Sequence, residues 1–215
     1  MMGYTRTRSQ TCLARVTGHQ GGSQMKRSLG ARTVLLPAPV LVVGTYDKEG
    51  RPNVMTVAWG GTCCSNPPCI DIALRKATYT YGNILDRKAF TVHVTPERYL
   101  TEADYFGIVS GRDVDKFAAT GLTAERSETV DAPYIKEFPF FVECTLREVV
   151  ELGLHTQFIG EIVDVKMDED MLDDKGLPDV GRIRPTVMVP EIRNYYGFGE
   201  KLGDVFVMGR KLRVR

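Results

Sequence analysis

One short segment of the sequence combines the residue types that bind a phosphate group. It reads RKATYTY and lies where a strand-like pattern gives way to a helical one. The first turn of a helix presents free backbone N–H groups and the positive end of the helix dipole, which suit an anion. Cationic and hydroxyl side chains nearby would complete the hydrogen bonds to its oxygens. The candidate ligands are Arg75, Lys76, Thr78, Thr80 and Tyr81. A capped surface helix with solvated basic residues has the same composition, so both interpretations remain open.

A second segment, SGRDVDKF, points to the same chemistry. Gly111 permits a sharp turn after Ser110. Asp113 can cap a short helix, and Lys116 then falls in its first turn. A lysine there is unfavourable against the helix dipole unless an anion lies nearby. Ser110, Gly111 and Lys116 are therefore candidate anion-binding residues. When the segment is considered alone, it favours an exposed lysine whose unfavourable interaction with the helix dipole costs little stability.

A third stretch, NVMTVAWGG, carries the only tryptophan of the chain. A threonine that points inward and an aromatic residue near small residues could line a binding site for a ligand with a flat ring. The edge of that ring would bond to backbone amides at the strand end. The candidates are Asn53, Thr56, Ala58 and Trp59. Ordinary strand packing gives the same pattern and is favoured when the stretch is considered alone.

His155 is the candidate proton donor, because it follows Gly153 at the start of a long strand-like segment. A lone strand histidine is more often structural, so this alternative stays open. The sequence contains no H-E-x-x-H spacing, and we expect no metal site. The glycines of GFGEKLG miss the dinucleotide fingerprint by one position, so no Rossmann-type nucleotide site is expected.

Short strand-like segments must position these residues. The pattern predicts strands at Val40–Tyr46, Asn53–Trp59, Cys69–Arg75, Phe90–Val94, Phe140–Val150, Leu154–Met167 and Thr186–Val189. Predicted helices cover Thr78–Lys88, Glu97–Phe106 and Asp113–Thr120, and residues 168–181 are expected to be a loop. Many short strands with a few inserted helices favour a closed, mostly antiparallel β-barrel, because closure removes exposed sheet edges.

Composition excludes some partners. The 215 residues include 28 Lys and Arg against 27 Asp and Glu, a net charge of +1, so no bulk field attracts nucleic acid or an anionic membrane. The longest apolar run, Val34–Val43, is too short to span a bilayer and contains two prolines.

Five cysteines, with no C-x-x-C spacing, predict reduced thiols in a cytoplasmic protein.

The first 24 residues differ from the rest, since they contain three arginines, no acidic residue and no apolar periodicity. We expect residues 1–24 to be a disordered extension, or sequence translated from a start codon upstream of Met25. A transit peptide is the alternative. Residues 25–215 are then a single domain.

Together these segments resemble the flavin reductase-like, FMN-binding split-barrel family, and within it the flavoredoxin branch. The motifs that carry the resemblance are PVLVVGT, NVMTVAW, NPP followed by IDIALR, TYTYGNI, FGIVSGRDVDKF and HTQFIGEIV. The resemblance covers the chain from about Met25 to Met208 and implies a mainly β, Greek-key split barrel with a few short helices. It also implies a homodimer with one FMN per subunit near the interface.

The resemblance assigns roles to the candidate residues. Arg75, Lys76, Thr78 and Thr80 would hold the FMN phosphate with help from Lys116, and Tyr81, Ser110 and Gly111 would complete that corner. The stretch from Asn53 through Thr56 and Ala58 to Trp59 would run along the flavin ring, with His155 near the ring or the incoming donor. The expected activity is electron transfer from NADH or NADPH through FMN to an acceptor. Two alternatives remain: an electron carrier reduced by a protein donor, and a flavin-binding barrel without turnover. The cysteines near the ring-lining strand are expected to be packing residues, with a redox-active thiol as the alternative.

Overall fold

The computed structural model describes residues 25–212, so the predictions for residues 1–24 and Cys12 lie outside the described part. Internal contacts divide the chain into residues 1–32 and residues 33–215. Every helix and strand of the described residues belongs to the second unit. The domain start expected at Met25 stays a prediction.

The described chain is built mainly of strands. The strands are β1 (Ala38–Pro39), β2 (Leu41–Tyr46), β3 (Pro52–Val57), β4 (Gly60–Ser65), β5 (Pro68–Leu74), β6 (Ala89–Val94), β7 (Ala124–Arg126), β8 (Pro133–Ile135), β9 (Phe140–Glu151), β10 (Thr156–Met167), β11 (Thr186–Val189) and β12 (Asn194–Gly197). The α-helices are α1 (Tyr79–Arg87), α2 (Leu100–Ile108), α3 (Lys116–Thr120) and α4 (Val180–Ile183), and single 3-10 turns lie at Glu97–Tyr99, Glu169–Met171 and Met208–Leu212.

The main sheet has seven antiparallel strands in the order β3-β2-β6-β9-β10-β5-β4. Its two edges, β3 and β4, follow each other in the sequence with only Ala58 and Trp59 between them. Two residues cannot cross a flat sheet of seven strands, because neighbouring strands are about 4.8 Å apart. The sheet therefore curls until its edges approach each other, which forms the barrel.

The period-2 alternation of the strands separates two apolar cores. On β2, Leu41 and Val43 face the barrel interior, whereas Val42 packs on the outside. The interior core also holds Ile70, Ile72 and Leu74 of β5, which are all buried. The outer core is formed by Val42, Val54, Ala103, Phe106, Phe117, Ile135 and Phe138. It fixes α2 and α3 against the outer face of β2 and β3.

Smaller sheets cover the barrel. Strands β1, β11 and β12 form one, and β7 and β8 form the other. His93 on β6 joins β8 to the main sheet: the Ile135 N–H donates to its Nε2 at 2.9 Å, and its Nδ1 lies 3.0 Å from the Val42 carbonyl oxygen.

The predicted barrel and most predicted strands are confirmed, with some corrections. The strand predicted to continue to Trp59 ends at Val57. Residues 97–108 form a 3-10 turn followed by a helix, and the predicted 168–181 loop contains a 3-10 turn and the start of α4. Strand β4 was not predicted, because its sequence GGTCCS has little β-propensity. It is a strand because it forms hydrogen bonds with its neighbour β5. Among the described residues no helix is long and apolar enough to cross a membrane.

Candidate functional site: an anion-binding cavity at the start of α1

The connection between β5 and α1 forms the centre of the site. Strand β5 ends at Leu74, and α1 begins at Tyr79 with Thr78 as its N-cap. The Thr78 hydroxyl does not cap the helix, because it donates to the Arg75 carbonyl oxygen at 2.9 Å. The first turn of α1 also contains no acidic residue. Its free amides and the positive end of its dipole are thus left for an anion.

A cavity of about 240 Å³ opens beside this turn. Its lining includes two cations and no carboxylate: Asn53, Met55, Arg75, Ala77, Thr78, Tyr79, Thr80, Phe106, Gly107, Ile108, Val109, Ser110, Gly111 and Lys116. A second cavity of about 280 Å³ shares Asn53, Tyr79, Gly111 and Lys116 with it. The charge of the first cavity favours an anionic ligand, and its apolar residues favour a ligand that also has an apolar part.

Of the two adjacent basic residues, only Arg75 faces this cavity. Its side chain is exposed, and within the described part of the chain its guanidinium has no hydrogen-bond or ion-pair partner. The Lys76 ammonium lies 2.6 Å from a carboxylate oxygen of Glu151, which raises the pKa of Lys76. Lys76 is therefore directed away from the predicted phosphate corner.

Lys116 lines the cavity, but its ammonium is already bonded to the backbone. Nζ donates to the Val54 carbonyl oxygen at 2.8 Å and to the Phe106 carbonyl oxygen at 2.7 Å. The side chain is buried, and burial lowers the pKa of Lys116 to about 8. Lys116 thus links β3 to α2, and one of its three N–H groups is left for a ligand. The buried side chain corrects the interpretation that the segment alone favoured, an exposed lysine.

Asn53 and Gly111 form a wall that both cavities share, and Thr80 adjoins this wall in the first cavity. The Asn53 Nδ2 donates to Thr80 Oγ1 at 3.0 Å, so the Thr80 hydroxyl proton can be donated to another acceptor. Both residues are buried, and the Asn53 Oδ1 has no hydrogen-bond partner within residues 25–212. A Cβ at Gly111 would overlap that oxygen, which explains a glycine here. A buried acceptor without a donor is costly, so a ligand that supplies an N–H or O–H would be stabilised at this wall.

Tyr79 is held in the site by a network that sequence reasoning missed. Its hydroxyl donates to Asp47 Oδ2 at 2.7 Å, and Arg51 Nε donates to the same oxygen at 2.7 Å. Although burial acts to raise the pKa of Asp47, the hydrogen bonds from Tyr79 and Arg51 hold it below its usual value. The guanidinium of Arg112 lies 5.1 Å from the centre of the Tyr79 ring, and its Nη1 donates to the Ala77 carbonyl oxygen at 2.9 Å. The one sequence signal for this network is Asp47, which begins the turn-like sequence DKEG between β2 and β3.

The structure brings seven of the predicted cofactor-binding residues to the cavity. They are Asn53, Arg75, Thr78, Thr80, Ser110, Gly111 and Lys116. The other five, Thr56, Ala58, Trp59, Lys76 and Tyr81, are not among its lining residues. Which of the twelve contact a cofactor stays a prediction.

The residues outside the lining have identifiable roles in the fold. The Thr56 hydroxyl donates to the Ala103 carbonyl oxygen of α2. Ala58 and Trp59 form the link between the sheet edges, where the Trp59 carbonyl oxygen accepts from the Ala73 N–H at 2.8 Å. The ring of Tyr81 packs edge-on against the buried Phe158, with 5.1 Å between centroids.

His155 lies at the same end of β5 as Arg75, outside the cavity. It precedes Thr156, and Thr156 pairs with Leu74, the last residue of β5. Its carbonyl oxygen accepts from the Leu152 N–H in the β9–β10 turn. A role for its imidazole near a bound ligand remains a prediction.

Two of the cysteines are exposed, contrary to the expectation of packing residues. Cys63 and Cys64 on β4 are exposed, whereas Cys69 and Cys144 are buried, and all four thiols are free. Within residues 25–212 no cluster of three or more His, Cys, Asp or Glu could hold a metal ion.

Comparison with known proteins identifies the family. The family model for the flavin reductase like domain matches residues 32–186, well over half of the chain. The chain belongs to the flavin reductase-like family. This is a family of flavin-binding proteins, as the sequence motifs predicted.

Solved structures of the family give the same result for the fold. The flavoredoxin of Desulfovibrio vulgaris (Miyazaki F) is 52% identical, with a TM-score of 0.83 over 86% of this chain and 100% of that one. The flavoredoxin from Methanosarcina acetivorans is 28% identical, with a TM-score of 0.81 over 88% of this chain and 100% of that one. A Shewanella frigidimarina protein described as a flavin reductase with a split barrel domain is 27% identical, with a TM-score of 0.71 over 79% and 85% of the two chains. The predicted mainly β split barrel is therefore confirmed.

Proposed function

We propose that this protein binds FMN in the cavity at the start of α1. We further propose that it is an oxidoreductase that passes electrons from NADH or NADPH through that flavin to an acceptor. The observation that supports this most directly is the lining of the cavity, which has two cations and no carboxylate beside the first turn of α1. The family membership supports the flavin, and the cationic corner supports a phosphorylated one.

The residues of the cavity fit both parts of such a cofactor. Arg75, the free amides of α1 and the hydroxyl proton of Thr80 would hold the phosphate. The unpartnered Oδ1 of Asn53 would accept from an N–H or O–H of the flavin. Met55 and Ile108 would exclude water from its apolar part. Bound flavin supplies the hydride- and electron-accepting chemistry, and these residues set its position and access.

FMN binding is tested by replacing each of two adjacent basic residues, Arg75 and Lys76, by alanine. Arg75→Ala should weaken FMN binding at least tenfold, because the unpaired guanidinium faces the cavity. Lys76→Ala is the matched control and should leave the affinity unchanged, because its ammonium pairs with Glu151 instead. Titration with riboflavin, which lacks the phosphate, should show little difference between Arg75→Ala and the unmodified protein.

The same titrations can contradict the proposal. If the unmodified protein binds FMN no more tightly than riboflavin, the cavity does not recognise the phosphate. If Lys76→Ala weakens FMN binding as much as Arg75→Ala, the phosphate lies elsewhere. If neither flavin binds, the proposed cofactor is wrong.

The similarity to a 52% identical flavoredoxin favours a second candidate function, an electron carrier reduced by a protein donor. Anaerobic mixing of the FMN-loaded protein with each nicotinamide distinguishes the two. Rapid loss of the oxidised flavin absorbance with NADH or NADPH supports the first function. Loss only with a reduced iron–sulfur protein supports the second, and no loss with any donor leaves a flavin-binding barrel without turnover.

We also propose that the protein is a homodimer. Its C-terminal segment exposes apolar side chains, with Leu202 90% and Phe206 89% accessible to solvent. Large exposed apolar patches on a water-soluble chain mark interaction sites. Analytical ultracentrifugation should give a dimer, and the double variant Leu202→Ser with Phe206→Ser should shift it toward monomer. A monomeric unmodified protein would contradict this proposal.

A further inference from the structure

The β4–β5 hairpin brings three cysteines together at one edge of the main sheet. Cys64 on β4 and Cys69 on β5 are direct partners in the antiparallel ladder. A register shift between Thr62 and Cys64 inserts Cys63 as an extra residue beside them. Because β4 is the last strand of the sheet, its outer side has no neighbouring strand in that sheet.

The register places Cys64 and Cys69 at a separation that a disulfide can bridge. Directly opposed residues of an antiparallel pair have Cα atoms about 4.5–5.5 Å apart, and disulfides span about 4.4–6.8 Å. Opposed residues also project their side chains from the same face of the sheet. Cys63 and Cys64, as consecutive residues, have Cα atoms only about 3.8 Å apart, which is too close for an unstrained disulfide.

We propose that Cys64 and Cys69 form a reversible disulfide by exchange with a low-molecular-weight disulfide. In the first step the Cys64 thiolate attacks one sulfur of that disulfide, which gives a mixed disulfide and releases one thiol. In the second step Cys69 attacks the sulfur of Cys64 and releases the second thiol. The protein loses two protons and two electrons, and the small disulfide takes up both to become two thiols.

The order of the two steps follows from accessibility. Cys64 is exposed, whereas the side chain of Cys69 is 3% accessible, so an external disulfide can reach only the first. Burial also raises the pKa of Cys69, which disfavours it as the initial nucleophile. Once the mixed disulfide forms at Cys64, Cys69 is its nearest buried partner across the ladder.

The disulfide would join the edge strand β4 to β5 without entering the flavin cavity. Cys69 is near the start of β5, and Arg75 follows its end, about 20 Å away at the rise of an extended strand. The modification is therefore independent of the proposed function. FMN binding can be absent while the disulfide forms, and the converse also holds.

The test uses the reduced full chain with Cys12→Ser, which removes the one cysteine outside the described residues. It is incubated with glutathione disulfide without oxygen, alkylated, and analysed by intact and fragment-ion mass spectrometry. Before alkylation we expect an intact mass lower by two hydrogens, and after alkylation the fragment ions should show a Cys64–Cys69 linkage and no retained glutathione. Cys144 is fully buried and should stay reduced.

Three variants assign the steps. Cys63→Ala is the matched control and should still form the disulfide. Cys69→Ala should retain glutathione on Cys64, and Cys64→Ala should form no protein disulfide. A stable glutathione adduct on the unmodified pair, or a linkage that includes Cys63, would overturn the proposal. The linkage map of the parent chain decides the question even where a variant fails to fold.

Discussion

Gly111 lies directly against the side chain of Asn53, so closely that a methyl group at position 111 would overlap Asn53 Oδ1. The two residues belong to separate segments, β3 and the loop before α3. Their contact brings together the motifs NVMTVAWGG and SGRDVDKF, which only the family resemblance had assigned to one site. The buried Oδ1 beside Gly111 has no hydrogen-bond partner within residues 25–212.

Replacing Gly111 should therefore displace the cavity wall. Gly111→Ala should weaken FMN binding at least tenfold in a fluorescence titration, because Asn53 and its partner Thr80 must move. Gly82→Ala is the matched control: a Cβ there meets no atom within 4 Å. It lies inside α1, so alanine should keep the affinity and add about 0.5–1 kcal/mol of stability. Equal affinity for both variants would show that this wall does not contact the cofactor.

The charge of Lys116 predicts a pH dependence of FMN binding. Burial lowers the pKa of Lys116 to about 8, so the ammonium loses its proton in the alkaline range and no longer attracts a phosphate. FMN affinity should fall as the pH rises through 8, and Lys116→Met should bind more weakly at neutral pH without that fall. The FMN affinity of Arg75→Ala should still decrease as the pH rises through 8, because an arginine guanidinium stays protonated in this pH range. A pH-independent affinity in the unmodified protein would contradict the assignment of Lys116.

His93 predicts a loss of stability in acid. The Ile135 N–H donates to Nε2, so the neutral ring carries its proton on Nδ1 and donates to the Val42 carbonyl oxygen. Burial lowers the pKa of His93 to about 4 from 6.5 in the unfolded chain. Between these values only the unfolded state binds the proton, so the free energy of unfolding should fall by up to about 3 kcal/mol as the pH falls from 6.5 to 4.

Urea unfolding at several pH values measures this effect. His93→Gln should flatten the slope between pH 6.5 and 4, whatever its effect on stability at neutral pH. An unchanged slope in His93→Gln would assign the acid sensitivity to other groups.

The Asp47 network should contribute to stability as well as to the position of Tyr79. Asp47 is 2% accessible and accepts hydrogen bonds from Tyr79 and Arg51, so Asp47→Ala should cost at least about 2 kcal/mol. Asp86→Ala removes an exposed carboxylate 3.7 Å from Lys48 and should cost less than about 1 kcal/mol. Thermal unfolding of both variants checks the difference. Equal destabilisation would mean that the network adds nothing beyond a surface charge.

The sequence was sufficient for the barrel and for the position of its anion-binding corner. The pattern of Cys69–Arg75 predicted a strand, and the residues after it predicted a helix start with cations and hydroxyls. Both signals are local, because a strand has period 2 and a helix cap involves neighbouring residues. Strand β4 escaped prediction because its pairing with β5, rather than its own composition, makes it a strand.

Only the tertiary structure decided which basic residues remain available to a ligand. Arg75 and Lys76 are adjacent and alike in the sequence, yet Glu151, from a distant hairpin, neutralises Lys76 alone. Lys116 is similarly engaged by carbonyl oxygens of β3 and α2. The sequence by itself determined the types of residue at the corner. Their partners depend on contacts between residues far apart in the chain, and such contacts exist only once the barrel has closed.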